Sequence, residues 1–158
     1  MDYYQYTDSP LGKILMKSNG EALTGLWFAD KKEIGKVKES PLPVFEETKE
    51  WLRAYFEGFD PGFTPHIKFY DTLFREKVWS GLLKIPYGQT VSYSQLAEMI
   101  GVGRLSARAV GSAVGKNPIA IIVPCHRVIR EDGKIGEYAG GVERKEKLLT
   151  LEGAKYKR

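Results

Sequence analysis

Reactive side chains are scarce in this sequence, and the scarcity narrows what it can do. Among 158 residues there is one cysteine, Cys125, and there are two histidines, His66 and His126. A single cysteine excludes an intramolecular disulfide framework and fits a reducing compartment. No apolar run approaches the ~20 residues of a membrane span. The stretch from Met1 to Thr7 lacks a charged leader followed by an apolar run, so no secretory signal is visible. A cytoplasmic location without membrane attachment is the expectation. Internal repeats and low-complexity tracts are absent too.

What is present is ordinary in bulk and uneven in detail. Hydrophobic content of 42% and charged content of 28% are usual for a globular protein. A chain of this length can bury ~70% of its unfolded surface without staples. The net charge of +4 hides an asymmetry: residues 1–74 hold 9 basic against 12 acidic side chains, residues 75–158 hold 15 against 8. A basic carboxy-terminal half points to an anionic partner, nucleic acid first.

Punctuation residues divide the chain. Residues 13–18 and 21–28 read as two strands around Asn19-Gly20, which suits a tight hairpin turn. A helix is predicted over 44–57, with Phe45, Trp51, Leu52, Tyr55 and Phe56 as its apolar positions. Gly58, Pro61, Gly62 and Pro65 then mark a connection between an amino-terminal α/β lobe, 1–70, and a second lobe, 71–158. The second lobe opens with a helix over 72–85, whose apolar face is Leu73, Val78, Trp79, Leu82 and Leu83. Ser92-Tyr93-Ser94-Gln95 has the pattern of a capping box, a hydroxyl at the cap and an amide three residues on. It starts a short helix to about Ile100. After Gly101-Val102-Gly103, a second helix is predicted over 104–116. The pair fits a helix-turn-helix as well as an ordinary helical hairpin. The expected fold class is therefore α/β (α+β), with a small β-hairpin and helix lobe followed by a mainly helical lobe.

That second helix is almost stripped of side chains. From Ser106 to Gly115, seven of ten residues are Ala, Gly or Ser, and Arg108 is the one long side chain. Such a helix can come unusually close to DNA, whose minor groove is ~6 Å wide. It can equally pack tightly against another element.

Cys125 stands behind the apolar stretch Ile119 to Val123, in Val123-Pro124-Cys125-His126-Arg127-Val128. The run reads as a strand stopped by proline, with the sulfur at an abrupt change of direction, a potential base next and a cation after it. Cations and a paired His lower a thiol's pKa. Val128–Arg130 reads as extended, Asp132-Gly133 as a turn, and Gly136 to Gly141 as a flexible loop. The last helix, 142–152, should turn Leu148, Leu149 and Leu151 inward and stop at Gly153.

These residues together resemble the methylated-DNA–protein-cysteine methyltransferase, or alkylguanine-DNA alkyltransferase, family. The resemblance runs over residues 72–153. It rests on Val91 to Ala97, Ala107-Arg108-Ala109-Val110-Gly111, Asn117-Pro118, the Pro-Cys-His-Arg run, and Tyr138-Ala139-Gly140-Gly141. It implies single-turnover repair, with an alkyl group passing from the guanine 6-oxygen in double-stranded DNA to Cys125. It implies a water-linked network of Cys125, His126 and Glu152, with Asn117 ordering the active-site loop. Tyr93 would help rotate the nucleotide and hydrogen-bond the base, and Arg108 would fill the space left by it. Ser106, Ala107, Ala109, Gly111 and Arg127 fall on the implied DNA-binding surface, and Val128, Tyr138, Ala139 and Gly140 in the base pocket. Ala139 stands where relatives often carry serine. Some relatives hold zinc in the amino-terminal lobe. Here, with Cys125 and His126 engaged, no tetrahedral Cys/His site can be assembled, and no zinc is expected. No cofactor is implied, and the protein is expected to act as a monomer.

The chemistry is consistent with that assignment. Attack at an alkyl carbon calls for a soft nucleophile, and thiolate is the best a side chain offers. Adjacent side chains on an extended segment point apart, so a water between Cys125 and His126 is expected rather than direct contact. Two rivals remain at this level: a helix-turn-helix protein that binds DNA without reacting, and a thiol hydrolase using Cys125, His126 and Glu152.

Overall fold

Two compact units divide the chain, Met1–Tyr70 and Asp71–Arg158. The computed structural model describes residues 1–32 and 34–158.

The first unit holds a three-stranded antiparallel sheet in the order β1 (Tyr3–Thr7), β2 (Ile14–Ser18), β3 (Leu23–Phe28). The sequence reading has only the last two. Tyr3–Thr7 pairs Tyr3 with Ser18 and Thr7 with Ile14, and all five of its residues are half-buried. An edge strand with no fully buried face lacks the apolar alternation that betrays a strand. The link between β2 and β3 is wider than a two-residue turn. Asn19 Oδ1 accepts from the amides of Glu21 and Ala22, both at 2.9 Å. Trp27 lies so flat across Gly25 that a Cβ there would meet the indole at 2.1 Å. Helix α1 (Pro43–Phe56) buries Phe45, Trp51, Leu52 and Tyr55. Trp51 stacks on Tyr55 with centroids 5.2 Å apart.

The second unit is mostly helical. Helix α2 (Leu73–Leu82) buries Val78, Trp79 and Leu82. Leu73, which the sequence reading places inward, is 89% exposed, and Leu83 also reaches solvent. The capping box forms as predicted: Ser92 Oγ accepts from the Gln95 amide at 3.1 Å and Gln95 Oε1 from the Ser92 amide at 2.7 Å. It launches α3 (Tyr93–Met99). A single 3-10 turn, Arg104–Ser106, precedes α4 (Ala107–Val114), so the predicted helix over 104–116 is shorter than expected. The small residues of α4 serve both readings at once. Val110, Ala113 and Val114 are buried, and the Trp79 indole donates to Ala113 O at 2.8 Å. Arg108, Ala109 and Ser112 face out. A fully exposed Leu105 precedes them on the same face by helical spacing.

Two short strands, β4 (Val91–Ser92) and β5 (Val128–Ile129), pair in parallel, Val91 with Val128 and Ser92 with Ile129. This small ladder has a large consequence for position. It sets Tyr93, the first residue of α3, beside the segment that follows Cys125. The unit closes with α5 (Val142–Glu152), ended by Gly153 at φ 72°. Among the described residues no helix is long and apolar enough to cross a membrane.

Candidate active site

The segment before Cys125 is not the strand that its apolar letters suggest. Ile122 N donates to Ala120 O at 2.7 Å across Ile121, whose φ is +67°. A β-branched residue in the left-handed region is strained, by about 1–3 kcal/mol. Two residues on, Cys125 N donates to Val123 O at 2.8 Å across Pro124, at φ −83° and ψ 64°, an inverse γ-turn. Asn117 holds this coil together: its amide donates to Val123 O at 2.8 Å and its oxygen accepts from the Ile119 amide at 3.0 Å. Ile119, Ile121 and Val123 are fully buried, so local polar clamps, rather than a neighbouring strand, satisfy this backbone.

Cys125, His126 and Arg127 then form one 3-10 turn. Cys125 is nearly buried, at 9% exposure. Burial pushes its thiol above the ordinary value, against opposing help from an Asn117 hydrogen bond and the Lys145 charge. The lowering expected from its neighbours is outweighed by burial, and the cation two residues on in sequence is engaged elsewhere.

That cation is Arg127. Its Nε donates to Glu152 Oε1 at 2.8 Å, Nη2 to Glu152 Oε2 at 3.1 Å, and Nη1 to Ile85 O at 2.7 Å. The guanidinium also lies 5.8 Å from the Tyr87 ring centroid. With its side chain 9% exposed, Arg127 cannot reach a phosphate, and its predicted place on a DNA-binding surface is incorrect. A planar fork that finds a buried carboxylate stays with it.

Glu152, at the end of α5, is the hub. Its side chain has no exposure and accepts from His126 Nε2 at 2.6 Å, from Arg127, and from the Gly88 amide at 2.9 Å. Burial alone would raise this carboxyl. The hydrogen bonds and charges of His126 and Arg127 overcome it and hold the group down at about 2. An ionised carboxylate only accepts, so Nε2 of His126 carries the proton it shares. Burial pulls the imidazole below its usual value even though Glu152 opposes this. The ring is therefore neutral at neutral pH, with Nδ1 as its basic nitrogen.

Two phenols complete the surroundings. Tyr93 and Tyr138 are both raised, by burial first and then by the sulfur's charge. The Tyr138 ring stands edge-on to His126, centroids 6.5 Å apart. The ring of Tyr93 rests on Gly111 of α4, where a Cβ would sit 3.4 Å from it. Of the predicted base-pocket residues, Val128 is buried, Tyr138 and Gly140 are half-buried, and Ala139 is exposed in a turn closed by Gly141 N to Tyr138 O at 2.9 Å. Arg108 and Ala109 lie outside this cluster, on the open face of α4, while Ala107 and Ser106 are half-buried. The Ser106 hydroxyl donates back to Val102 O at 3.1 Å.

Sequence reasoning missed Lys145. It is 1% exposed and its Nζ donates to Val128 O at 2.7 Å and Glu137 O at 3.1 Å. The signal was available: residues 145, 148, 149 and 152 share one helical face, so a lysine in line with Leu148, Leu149 and Glu152 must point inward. Leu151, predicted inward, is only half-buried.

Two family models match the chain. One, described as the DNA binding domain of 6-O-methylguanine DNA methyltransferase, spans residues 73–154. The other, described as its ribonuclease-like domain, spans residues 3–68. The chain belongs to the 6-O-methylguanine DNA methyltransferase family. A methylated-DNA–protein-cysteine methyltransferase of Mycobacterium tuberculosis is 44% identical over 154 residues, 96% of this chain and 93% of that protein. One from Methanosarcina acetivorans is 43% identical over 155 residues, covering 96% and 99%. The crystal structure of the Mycobacterium tuberculosis O6-methylguanine methyltransferase superposes with a TM-score of 0.85 at 43% identity, covering 97% of this chain and 93% of that one. The structure of Mycobacterium tuberculosis OGT in complex with DNA gives the same TM-score and identity, covering 96% and 92%. Membership in the methyltransferase family accounts for the mixed α/β fold and for a helix-turn-helix and a Pro-Cys-His-Arg turn in one unit.

Proposed function

We propose that this protein repairs DNA by moving a methyl group from the 6-oxygen of guanine onto its own Cys125, once per molecule. The observation that carries the reading is the buried cluster around one thiol: a neutral imidazole fixed by a buried carboxylate, two protonated phenols and a clamped turn. The thiol gives its proton through water to Nδ1 of His126, because Glu152 occupies Nε2. The sulfur then bonds to the methyl carbon as the carbon–oxygen bond breaks. The electron pair leaves on the guanine, which takes a proton by way of Tyr93, and the proton held on His126 returns through water to replace it, so thiol and methylated base become thioether and guanine. Raised phenols suit that task, since they remain donors to a developing anion.

Duplex DNA would meet the open face of α4. Its small side chains allow close approach in the minor groove, and Arg108 occupies the gap when the nucleotide rotates out, a step costing a few kcal/mol. The Val128 carbonyl, already accepting from Lys145, keeps a second lone pair for a base amine. No group in the cluster can remove a thioether, so turnover stops after one event. A cytoplasmic, monomeric protein fits this use of a free thiol.

With a duplex carrying radiolabelled 6-O-methylguanine, label should move to protein in a single burst and plateau at one equivalent. Continued turnover would favour a thiol hydrolase, and binding without label transfer a non-reactive helix-turn-helix protein. Arg108→Ala should slow repair in duplex by roughly tenfold or more, the weight of a 1.4 kcal/mol loss in base extrusion. Reaction with the free modified base should be nearly unchanged. Equal slowing of both substrates would remove Arg108 from the extrusion step.

A further inference from the structure

The turn between α3 and α4 ties its polar side chains back and holds out a leucine. Gly103 bends the chain at φ 85°. Arg104 reaches to α3, where Nη1 donates to Glu98 Oε2 at 2.7 Å and Nη2 to Ser94 Oγ at 3.0 Å. Ser106 closes on the turn itself, its amide donating to Gly103 O at 3.0 Å and its hydroxyl to Val102 O at 3.1 Å. Between these two tethered neighbours, Leu105 is fully exposed.

A single exposed leucine is ordinary on a protein surface, but this one is held in place on a particular face. It precedes Arg108 by three residues and Ala109 by four, so the three share one side of the helix. Of the residues exposed between 104 and 112, Arg104 is engaged with α3, and Ala109 and Ser112 are short. Leu105 and Arg108 are the two long side chains left to project. An aliphatic side chain has no donor to offer a phosphate. In a duplex its apolar counterpart is the face of a base, reached when a wedge opens a step from the minor groove. Three helical residues advance ~5 Å, against ~3.4 Å for one base step, so two such probes reach neighbouring steps.

We propose that Leu105 is an apolar wedge that enters the minor groove beside Arg108 and unstacks the base step next to the rotated nucleotide. The proposal rests on the reading of the open face of α4 as the DNA contact. On binding, Leu105 leaves water for the opened step, and its burial offsets part of the cost of unstacking. Arg108 then occupies the gap itself, and Leu105 holds the adjoining step apart.

The test uses Cys125→Ala protein, in which no transfer follows binding, and a duplex with 2-aminopurine on one or the other side of a 6-O-methylguanine. This base fluoresces more strongly once it is unstacked. Binding should brighten one of the two probes. Adding Leu105→Ala should remove most of that rise, and Leu105→Met should keep it. With Cys125 in place, Leu105→Ala should repair duplex roughly five- to tenfold more slowly, the weight of the apolar carbons it lacks. Its reaction with the free modified base and its melting temperature should match the unaltered protein. Leu105→Lys, which offers a cation to a phosphate, should steepen the salt dependence of binding by about one contact yet repair as slowly as Leu105→Ala. Undiminished brightening in Leu105→Ala, or repair by Leu105→Lys at the unaltered rate, would overturn the wedge. Equal slowing of Leu105→Ala on duplex and free base would also overturn it, by placing the effect in the fold. If brightening depends on Leu105 while the unaltered protein takes no methyl from the duplex, the transfer reading alone fails.

Discussion

Glu152→Ala is expected to cost about 3–5 kcal/mol of folding stability, the usual effect of removing one partner from a buried ion pair. The loss is large because Glu152 answers three groups at once: His126, Arg127 and the Gly88 amide. Its removal strands the Arg127 guanidinium in a site with 9% side-chain exposure. Urea unfolding at pH 7 measures the effect. Removing both charges in Glu152→Ala/Arg127→Met should be less costly than the two single changes added together, by roughly 0.5–3 kcal/mol. The pH dependence has a defined sign. A carboxyl held at about 2 when folded and at 4.5 otherwise contributes stability that is complete above 4.5. That stability is lost as pH falls toward 2, because the unfolded chain takes up the proton first. The acid limb of the stability profile should therefore flatten between those values in Glu152→Ala. A variant as stable as the parent would show that the hub does not hold this half of the protein together.

Cys125→Ala should abolish methyl uptake completely while leaving affinity for duplex DNA within about threefold of the parent, since it alters a nearly buried atom and less than ~0.7 kcal/mol of binding is at stake. Arg108 and the open face of α4 are untouched by the change. The same variant should lower the ionisation points of Tyr93 and Tyr138, both of which the sulfur's charge raises. Ultraviolet titration of the phenols reads this directly. Residual transfer by Cys125→Ala would mean another acceptor, and a collapse of DNA affinity would place Cys125 in the binding surface.

Local signals were legible where one residue dictates one conformation. The Ser92–Gln95 box and the Gly153 stop were fixed by hydrogen-bonding chemistry and a left-handed φ, and both stand where the letters put them. Signals failed where distant partners decide. Ile119 to Val123 reads as a strand because it is apolar, but Asn117 and two γ-turns coil it. Arg127 reads as a solvent cation because nothing nearby in sequence reveals Glu152, 25 residues away. Glu152 itself resembles a solvated helix end until the carboxylate is seen with no exposure. Lys145 lay hidden among charged neighbours, although its helical face was readable. Tyr3–Thr7 escaped because an edge strand with half-buried residues carries no alternation. In the site, residue identity was readable from sequence, whereas ionisation state was not. The thiol is raised by burial, the reverse of what its basic neighbours suggest.

Intact-mass measurement with peptide mapping, after incubation with a duplex containing 6-O-methylguanine, bears most directly on the account. The prediction is a gain of one methyl group per chain, carried as a thioether on the peptide containing Cys125, with guanine restored in the DNA. Protein recovered at its original mass from a repaired duplex, or methylated at any other residue, would contradict it.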